Sequence, residues 1–159
     1  MADAESRHLT YETEYELSSA AFARISKTLG TPNIDLFASR LNAKCSRFCA
    51  WKPDPDAEYI DAFTRSWKDI FFYAFPPFPI ILKVLQKIDS DQATGILVVP
   101  NWPTQPWFPR YQARLLSAPI IFPPNKSLLL SVDRRPHPLH RSLSLVAGIL
   151  SGKLTGPRR

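Results

Sequence analysis

Two spacings of apolar residues alternate along the chain. At residues 18–30 and 79–90, apolar side chains recur with the period of a helix, which predicts two amphipathic helices. A serine before the first helix and a glycine after it are suitable capping residues. At residues 69–75 and 93–100 the chain is almost continuously apolar, as strands covered on both faces are. Residues 33–39 are predicted to form another buried strand. Strands and helices are therefore expected to alternate.

The order strand, helix, strand indicates a parallel βαβ unit, in which helices lie over a sheet. The fold class that we predict is α/β, a Rossmann-like three-layer sheet that is small, mostly parallel and not necessarily complete. Residues 105–116 are expected to form a short helix, and residues 119–124 and 127–132 edge strands or a hairpin. Residues 41–67, which include prolines and a run of acidic residues, are expected to be irregular.

Length and composition suggest how the chain is divided. Its 159 residues, 45% of them hydrophobic, suffice for one compact domain with a core. We assign residues 1–16 to a linker or arm, 17–132 to the α/β domain and 133–159 to a basic linker. No apolar stretch approaches the roughly 20 residues that span a bilayer, and the amino terminus lacks the pattern of a signal peptide. We therefore expect no membrane partner and an intracellular location, nuclear or cytoplasmic.

The net charge of +6 is concentrated in the last third of the chain. Residues 101–159 carry nine Lys and Arg but a single Asp. This distribution suits contact with nucleic acid, DNA in the first place, although a solvated basic tail would have the same composition. Arg134 and Arg135 are the candidate phosphate contacts in the predicted linker.

Metal sites have weak support in the sequence. To hold zinc, Cys45 and Cys49 would have to join His137 and His140 across most of the chain, so free thiols are the simpler interpretation. The acidic residues between positions 52 and 63 would suit a metal or a solvated loop, and we favour the loop. We expect no bound metal.

Candidate binding residues cluster where strands are predicted to end. Ligands of α/β sheets bind at the carboxyl ends of the strands, so Asp35, Asn42 and the turn FPPF should rim one crevice. This turn, Phe75 to Phe78, suits a flipped base because its prolines fix the backbone and an aromatic ring can stack. From the residues alone, however, we favour a core position for the rings of Phe75 and Phe78. No glycine-rich phosphate loop and no GxSxG motif is present.

A second cluster follows the third predicted strand. Trp102 and Trp107 would stack on bases while Arg110 and Arg114 meet phosphate, or the tryptophans would close over the neighbouring helix. The residues alone leave both interpretations open.

Three stretches together resemble one family. IDLFASRLNAKCSRF at 34–48, YAFPPF at 73–78 and LVVPNWPTQPWFP at 97–109 are similar to a domain of DIRS-type tyrosine-recombinase retrotransposon polyproteins. That domain lies downstream of reverse transcriptase and ribonuclease H. The resemblance covers roughly residues 12–124, and residues 142–153 are similar to the connector that precedes the recombinase.

The retrotransposon domain in turn resembles the phage-type DNA N6-adenine methyltransferases, which use S-adenosylmethionine and a Rossmann-like sheet. The matching positions are Asp35, Ala38, Ser39, Asn42, Ala43, Lys44, Cys45, Arg47, Phe48, Trp67, Pro76, Pro77, Trp107 and Phe108. On this resemblance, Asp35, Ser39 and Asn42 are the candidate cofactor-binding residues.

The turn that corresponds to the catalytic motif departs from the family pattern. The methyltransferases have Asn or Asp before the prolines, whose side-chain oxygen accepts a hydrogen bond from the adenine amino group; this chain has Phe75. We therefore expect no intact catalytic residue in the turn Phe75, Pro76, Pro77, Phe78, and no required cofactor.

The expected function is that of a degenerate methyltransferase-like module of a retrotransposon polyprotein. It would contact nucleic acid or neighbouring polyprotein domains in replication or integration. Two alternatives stay open: an active S-adenosylmethionine-dependent DNA adenine methyltransferase, and a structural spacer between ribonuclease H and recombinase.

Overall fold

A computed structural model of the protein describes residues 15–153, which form a mixed α/β fold around a seven-stranded, mostly parallel sheet. The elements, in chain order, are β1 (Glu16–Leu17), α1 (Ser19–Leu29), β2 (Ile34–Ala38), β3 (Arg47–Ala50), β4 (Tyr59–Ile60), β5 (Phe71–Ala74), α2 (Ile81–Ser90), β6 (Thr94–Pro100), α3 (Phe108–Ala113), β7 (Ile120–Phe122), β8 (Leu129–Leu130) and β9 (Leu145–Ser151). Two 3₁₀ turns, Ala62–Thr64 and Phe78–Ile80, precede β5 and α2.

The large sheet has the strand order β4-β3-β2-β5-β6-β9-β7. Its first five strands are parallel, whereas β9 is antiparallel to both of its neighbours, β6 and β7. Strands β3 and β4 extend the sheet from β2 in one direction, and β5 and β6 extend it in the other. The order therefore reverses between β2 and β5, which is where α/β sheets form a ligand crevice. A separate antiparallel ribbon joins β1 to β8.

Alternate strand residues face two cores. Phe72 and Leu97 belong to the core that α2 and α3 pack against, whereas Tyr73 and Ile96 belong to the core that α1 packs against. Helices thus cover both faces of the sheet, which explains why its central strands are continuously apolar.

The two predicted amphipathic helices are confirmed. Helix α1 begins after Ser18, whose hydroxyl accepts a hydrogen bond from the N–H of Ala21 at 3.1 Å. It ends at Gly30, whose φ of 116° lies in a region that favours glycine and whose N–H bonds to the carbonyl of Ser26. Helix α2 starts two residues later than predicted, because Phe78–Ile80 form a 3₁₀ turn.

The predicted buried strands and the other predicted elements also have counterparts. The three predicted buried strands are β2, β5 and β6, and residues 105–116 contain α3. Strand β7 lies at an edge of the sheet, as predicted for residues 119–124. Strand β8 does not form a hairpin with β7; it pairs with β1.

The prediction that residues 133–159 form a linker is wrong for the part that the structure describes. All seven residues of β9 pair with β6, and Leu145 and Ala147 are fully buried. The basic segment before β9 obscured this strand, because its charge dominates the composition of the whole region. The folded unit also begins earlier than predicted, since Tyr15 and Glu16 belong to it, while residues 1–14 and 154–159 lie outside the described part.

The prediction that residues 41–67 are irregular missed two short strands. Strand β3 pairs with β2, and β4 pairs with β3. Both residues of β4 are exposed, so no hydrophobic pattern marked this strand.

Among the helices of residues 15–153, none has the length and apolar character needed to cross a membrane.

Candidate functional site

The candidate site is the crevice where the strand order reverses, between the carboxyl ends of β2 and β5. The chain after β2 supplies Asn42 and Lys44, and the chain after β5 supplies Phe75. Asp35 lies within β2 and faces the same cavity. Of the residues that the sequence placed around one crevice, the structure brings together Asp35, Asn42 and Phe75, whereas Pro76 to Phe78 do not line the cavity.

Asp35 is a buried carboxylate at the floor of this cavity. Its side chain is held by two backbone N–H donors, that of Phe37 at 3.2 Å and that of Lys44 at 2.9 Å. Burial raises the pKa of Asp35 to about 7, because removal from water disfavours the charged form, and the two N–H donors offset only part of that effect. The carboxyl group is therefore partly protonated near neutral pH.

Ser39 and Asn42 stabilise the turn after β2. The Oδ1 of Asn42 accepts a hydrogen bond from the N–H of Ser39 at 2.7 Å, and the Oγ of Ser39 accepts one from the N–H of Leu41 at 3.2 Å. The N–H of Ala43 donates to the carbonyl of Ser39 at 2.9 Å. Both side chains thus have a local structural role in shaping the crevice rim.

The turn Phe75 to Phe78 forms an apolar corner beside the crevice. Pro76 and Pro77 are buried, and Phe75 and Phe78 are half-buried. The ring of Phe78 meets that of Trp102 edge to face, with centroids 5.2 Å apart, and lies 6.5 Å from that of Phe75. No side chain of this turn carries a hydrogen-bond acceptor.

The crevice is closed by apolar and aromatic side chains. Tyr15 and Leu17, from the segment that carries β1, line the cavity opposite Tyr73 and Phe75. The cavity that is left measures about 10 Å³, which is room for about one water molecule. S-adenosylmethionine would need several hundred Å³, on the order of ordinary ligand pockets, so the cofactor that the resemblance implies does not fit this arrangement.

The hydroxyl of Tyr73 is buried in the crevice wall. Within residues 15–153 it has no hydrogen-bond partner. Burial, followed by repulsion between a tyrosinate and the ionised forms of Asp35 and Cys45, raises the pKa of Tyr73 well above its usual value, so the hydroxyl stays protonated. A buried hydroxyl without a hydrogen-bond partner lowers the stability of the folded state, so Tyr73 is a destabilising feature of the crevice wall.

Part of the predicted basic linker lies at the mouth of the crevice. The guanidinium of Arg134 is 3.2 Å from the carboxylate of Glu16, which is also 2.9 Å from Nζ of Lys44. The ring of His137 lies 4.7 Å from that of Tyr15 and 6.5 Å from that of Phe78. Exposed Arg135 and Arg141 belong to the same segment, residues 134–141, which we call the basic loop.

Other predicted nucleic-acid contacts lie elsewhere. Trp107 is 8% exposed and packs in the core of α2 and α3, so its ring is not available to stack on a base. Arg110 and Arg114 both pair with Asp89, at 3.2 and 2.6 Å. The carbonyl of Arg114 accepts the N–H of Ser151, which lies beside the start of β6, at the end of the sheet opposite the crevice.

Three acidic residues of the predicted loop, Asp54, Glu58 and Asp61, have structural partners. Asp54 accepts the N–H of Arg40, and Asp61 accepts the N–H of Phe63. Glu58 pairs with Arg47 at 2.7 Å and with Arg65 at 2.8 Å. Within residues 15–153 no group of three or more His, Cys, Asp or Glu is placed to hold a metal ion. Cys45 and Cys49 are free thiols.

Sequence reasoning missed several residues of the site. Tyr15 and Glu16 both fall in the predicted linker or arm, and Tyr73 lies in a predicted strand with no signal that distinguishes it from a core residue. Lys44 lies within a stretch that resembles the methyltransferase pattern and could have been singled out there.

A larger open groove of about 390 Å³, lined by α1 and the chain after β7, contains none of the predicted site residues.

No protein-family model and no curated protein matches this chain.

Proposed function

We propose that this chain is a methyltransferase-like module of a retrotransposon polyprotein that has lost its cofactor site and binds nucleic acid. In this proposal its fold is Rossmann-like. Support for the fold comes from the five parallel strands, whose order β4-β3-β2-β5-β6 is that of the first five strands of a doubly wound sheet. The helices on both faces of the sheet fit the same architecture.

The observation that carries the proposal is the closed crevice. A cavity of about 10 Å³ remains where a doubly wound sheet would hold its ligand. Phe75 takes the place of the amide or carboxylate acceptor that the methyltransferase resemblance calls for. Loss of both the acceptor and the space for a cofactor is what a module without methyl transfer would show.

The surface that we propose for nucleic acid combines the basic loop with the aromatic corner beside it. Arg134, Arg135 and Arg141 provide charge for phosphate contacts. Half-buried Phe78 and Trp102 lie next to the loop through the contact of Phe78 with His137, and their remaining exposed faces can stack on unpaired bases. Other domains of the polyprotein are the second class of proposed partner.

Isothermal titration with S-adenosylmethionine tests the closed crevice. We expect no heat of binding at cofactor concentrations up to about 1 mM, because the crevice has no room for a ligand of that size. Micromolar binding would contradict the proposal and would mean that Tyr15 to Leu17 move aside.

Binding of fluorescent single-stranded and duplex oligonucleotides tests the proposed surface. The affinity should fall steeply with salt, and replacement of Arg134 and Arg135 by Ala should reduce the salt slope by about 0.7 to 0.9 per lost phosphate contact. Replacement of Arg110 and Arg114 by Ala is the matched control, since it also removes two positive charges and both arginines lie at the opposite end of the sheet. Equal losses for both variants would point to net charge alone.

One observation favours the enzyme alternative enough to keep it in the test. The raised pKa of Asp35, about 7, beside the unsatisfied hydroxyl of Tyr73 is a combination typical of functional sites. If the cofactor binds, methylation of adenine-containing DNA should be compared between the wild type and Phe75→Asn. Equal activity of the two proteins would mean that the acceptor position is not needed.

A further inference from the structure

Glu16 lies between two cations at the mouth of the crevice. Its carboxylate oxygens are 2.9 Å from Nζ of Lys44 and 3.2 Å from the guanidinium of Arg134. Burial acts to raise the pKa of Glu16, but the hydrogen bonds from these cations outweigh that effect and lower the pKa. The carboxylate is therefore ionised at neutral pH and offsets one of the two positive charges beside it.

Lys44 depends on an anion at this position. Its side chain is only 9% exposed, and a nearly buried ammonium without a counter-ion is costly. Asp35 does not replace Glu16 here, because Asp35 bonds to the backbone N–H of Lys44. Within residues 15–153, Glu16 is the carboxylate at ion-pair distance from Nζ of Lys44.

The carboxylate of Glu16 can leave this position without unfolding its surroundings. Strand β1 is anchored by its neighbours, since Tyr15 is buried and Leu17 is 1% exposed. The side chain of Glu16, in contrast, keeps 26% of its surface exposed. Rotation of this one side chain would bring its carboxylate into solvent while Tyr15 and Leu17 stay in place.

We propose that Lys44 and Arg134 form a binding site for a phosphate of the nucleic-acid backbone, and that Glu16 occupies this site until a phosphate displaces its carboxylate. A phosphate supplies the negative charge and the acceptor oxygens that both cations require. Arg134 is 64% exposed and can receive the incoming phosphate first. Phe78, next to the basic loop, would then receive a base of the same strand. This inference rests on the proposed nucleic-acid function.

Fluorescence anisotropy with a labelled single-stranded oligonucleotide tests the site in the full chain. Glu16→Gln removes the competing charge but keeps the size of the side chain. Its affinity should exceed that of the wild type about five- to tenfold at about 50 mM salt, and its salt slope should be steeper by about 0.7, the value for one additional phosphate contact on a single strand. Addition of Lys44→Gln to this variant should abolish the gain.

Glu58→Gln is the matched control. Glu58 also lies between two cations, Arg47 and Arg65, but beside β3 and β4 at the far edge of the sheet. The variant Glu58→Gln changes the net charge by the same amount as Glu16→Gln and should bind the oligonucleotide with the affinity of the wild type. Thermal unfolding of each variant verifies that the fold is kept.

The possible results separate this inference from the function on which it rests. Similar gains for Glu16→Gln and Glu58→Gln, or no gain for either, would overturn the proposed phosphate site at Lys44 and Arg134. Binding of the oligonucleotide by the wild type would still support the nucleic-acid function. Absence of oligonucleotide binding by the wild type and by all variants would overturn both. A gain confined to Glu16→Gln and lost with Lys44→Gln supports both.

Discussion

At the scale of single residues, the crevice contains two polar groups whose burial is not fully compensated. Within residues 15–153, the buried carboxylate of Asp35 has two N–H donors but no ion pair, and the charge of Lys44 offsets only part of the effect of its burial. Within the same residues the hydroxyl of Tyr73 has no hydrogen-bond partner. Most buried polar groups in proteins are satisfied, so both residues should reduce stability in a measurable way. Their effects differ in pH dependence, which allows them to be separated.

Asp35→Asn should alter how the free energy of unfolding depends on pH. The pKa of Asp35 is raised to about 7 in the folded state, so the folded protein retains a proton that the unfolded chain, with a pKa near 3.9, has lost. Wild-type stability should therefore fall relative to the variant by about 2 to 3 kcal/mol between roughly pH 5 and pH 8.

Urea unfolding of both proteins at the two pH values measures this difference, and the titration of all other groups cancels between them. A difference that does not change with pH would mean that Asp35 titrates normally, with water reaching its carboxyl group.

Tyr73→Phe should leave the protein equally stable or stabilise it by up to about 1 kcal/mol, because it removes a buried hydroxyl that has no partner. Tyr111→Phe is the matched control. The hydroxyl of Tyr111 is also buried but lies 3.0 Å from the carbonyl of Leu97, so its loss should cost about 0.5 to 1.5 kcal/mol. The melting temperature should stay the same or rise for Tyr73→Phe and should fall for Tyr111→Phe. Equal destabilisation by the two substitutions would show that the hydroxyl of Tyr73 is bonded to water.

At the scale of elements, β9 decides whether the sheet is complete. It lies between β6 and β7 and supplies the sheet pairing of β7. Gly148 permits a close contact within this arrangement, since a Cβ at that position would lie 2.3 Å from Leu115. The strand is therefore fitted to both its neighbours and to the chain after α3.

A chain shortened after Ser142 should not unfold cooperatively, because it lacks β9 and exposes the edge of β6. A chain shortened after Lys153 should unfold like the full-length protein, since it keeps every described element. Circular dichroism and urea titration of the two proteins measure this. A cooperative transition in the shorter chain would support the linker that the sequence suggested for this region.

Strong periodic patterns made most elements predictable, whereas exposed or charged surroundings concealed the rest. Helix α2 and the central strands β5 and β6 have long apolar patterns, so their positions followed from the residues. Strand β4 has two exposed residues, and β9 follows a basic stretch, so neither pattern stood out.

At the scale of the whole molecule, the predictable part of the candidate site was the part fixed by local chain order. The positions of Asp35 and Asn42 in the site could be predicted from a single strand, β2, and the turn that follows it. Glu16 and Arg134 are 118 positions apart in the chain, and their contact depends on how β1 meets β8. A sequence offers no local signal for such a pair, which is why the contact of Glu16 with Lys44 and Arg134 could not be predicted.

The position of β9 also has a consequence for synthesis on the ribosome. Because the chain is made from its amino terminus, β2, β5, β6 and β7 are synthesised before β9, and β7 has no place in the sheet until β9 has been made. During that interval the edge of β6 is open to pairing with another nascent chain. The chain shortened after Ser142 represents this intermediate, so its tendency to aggregate indicates how far the protein depends on rapid completion of β9.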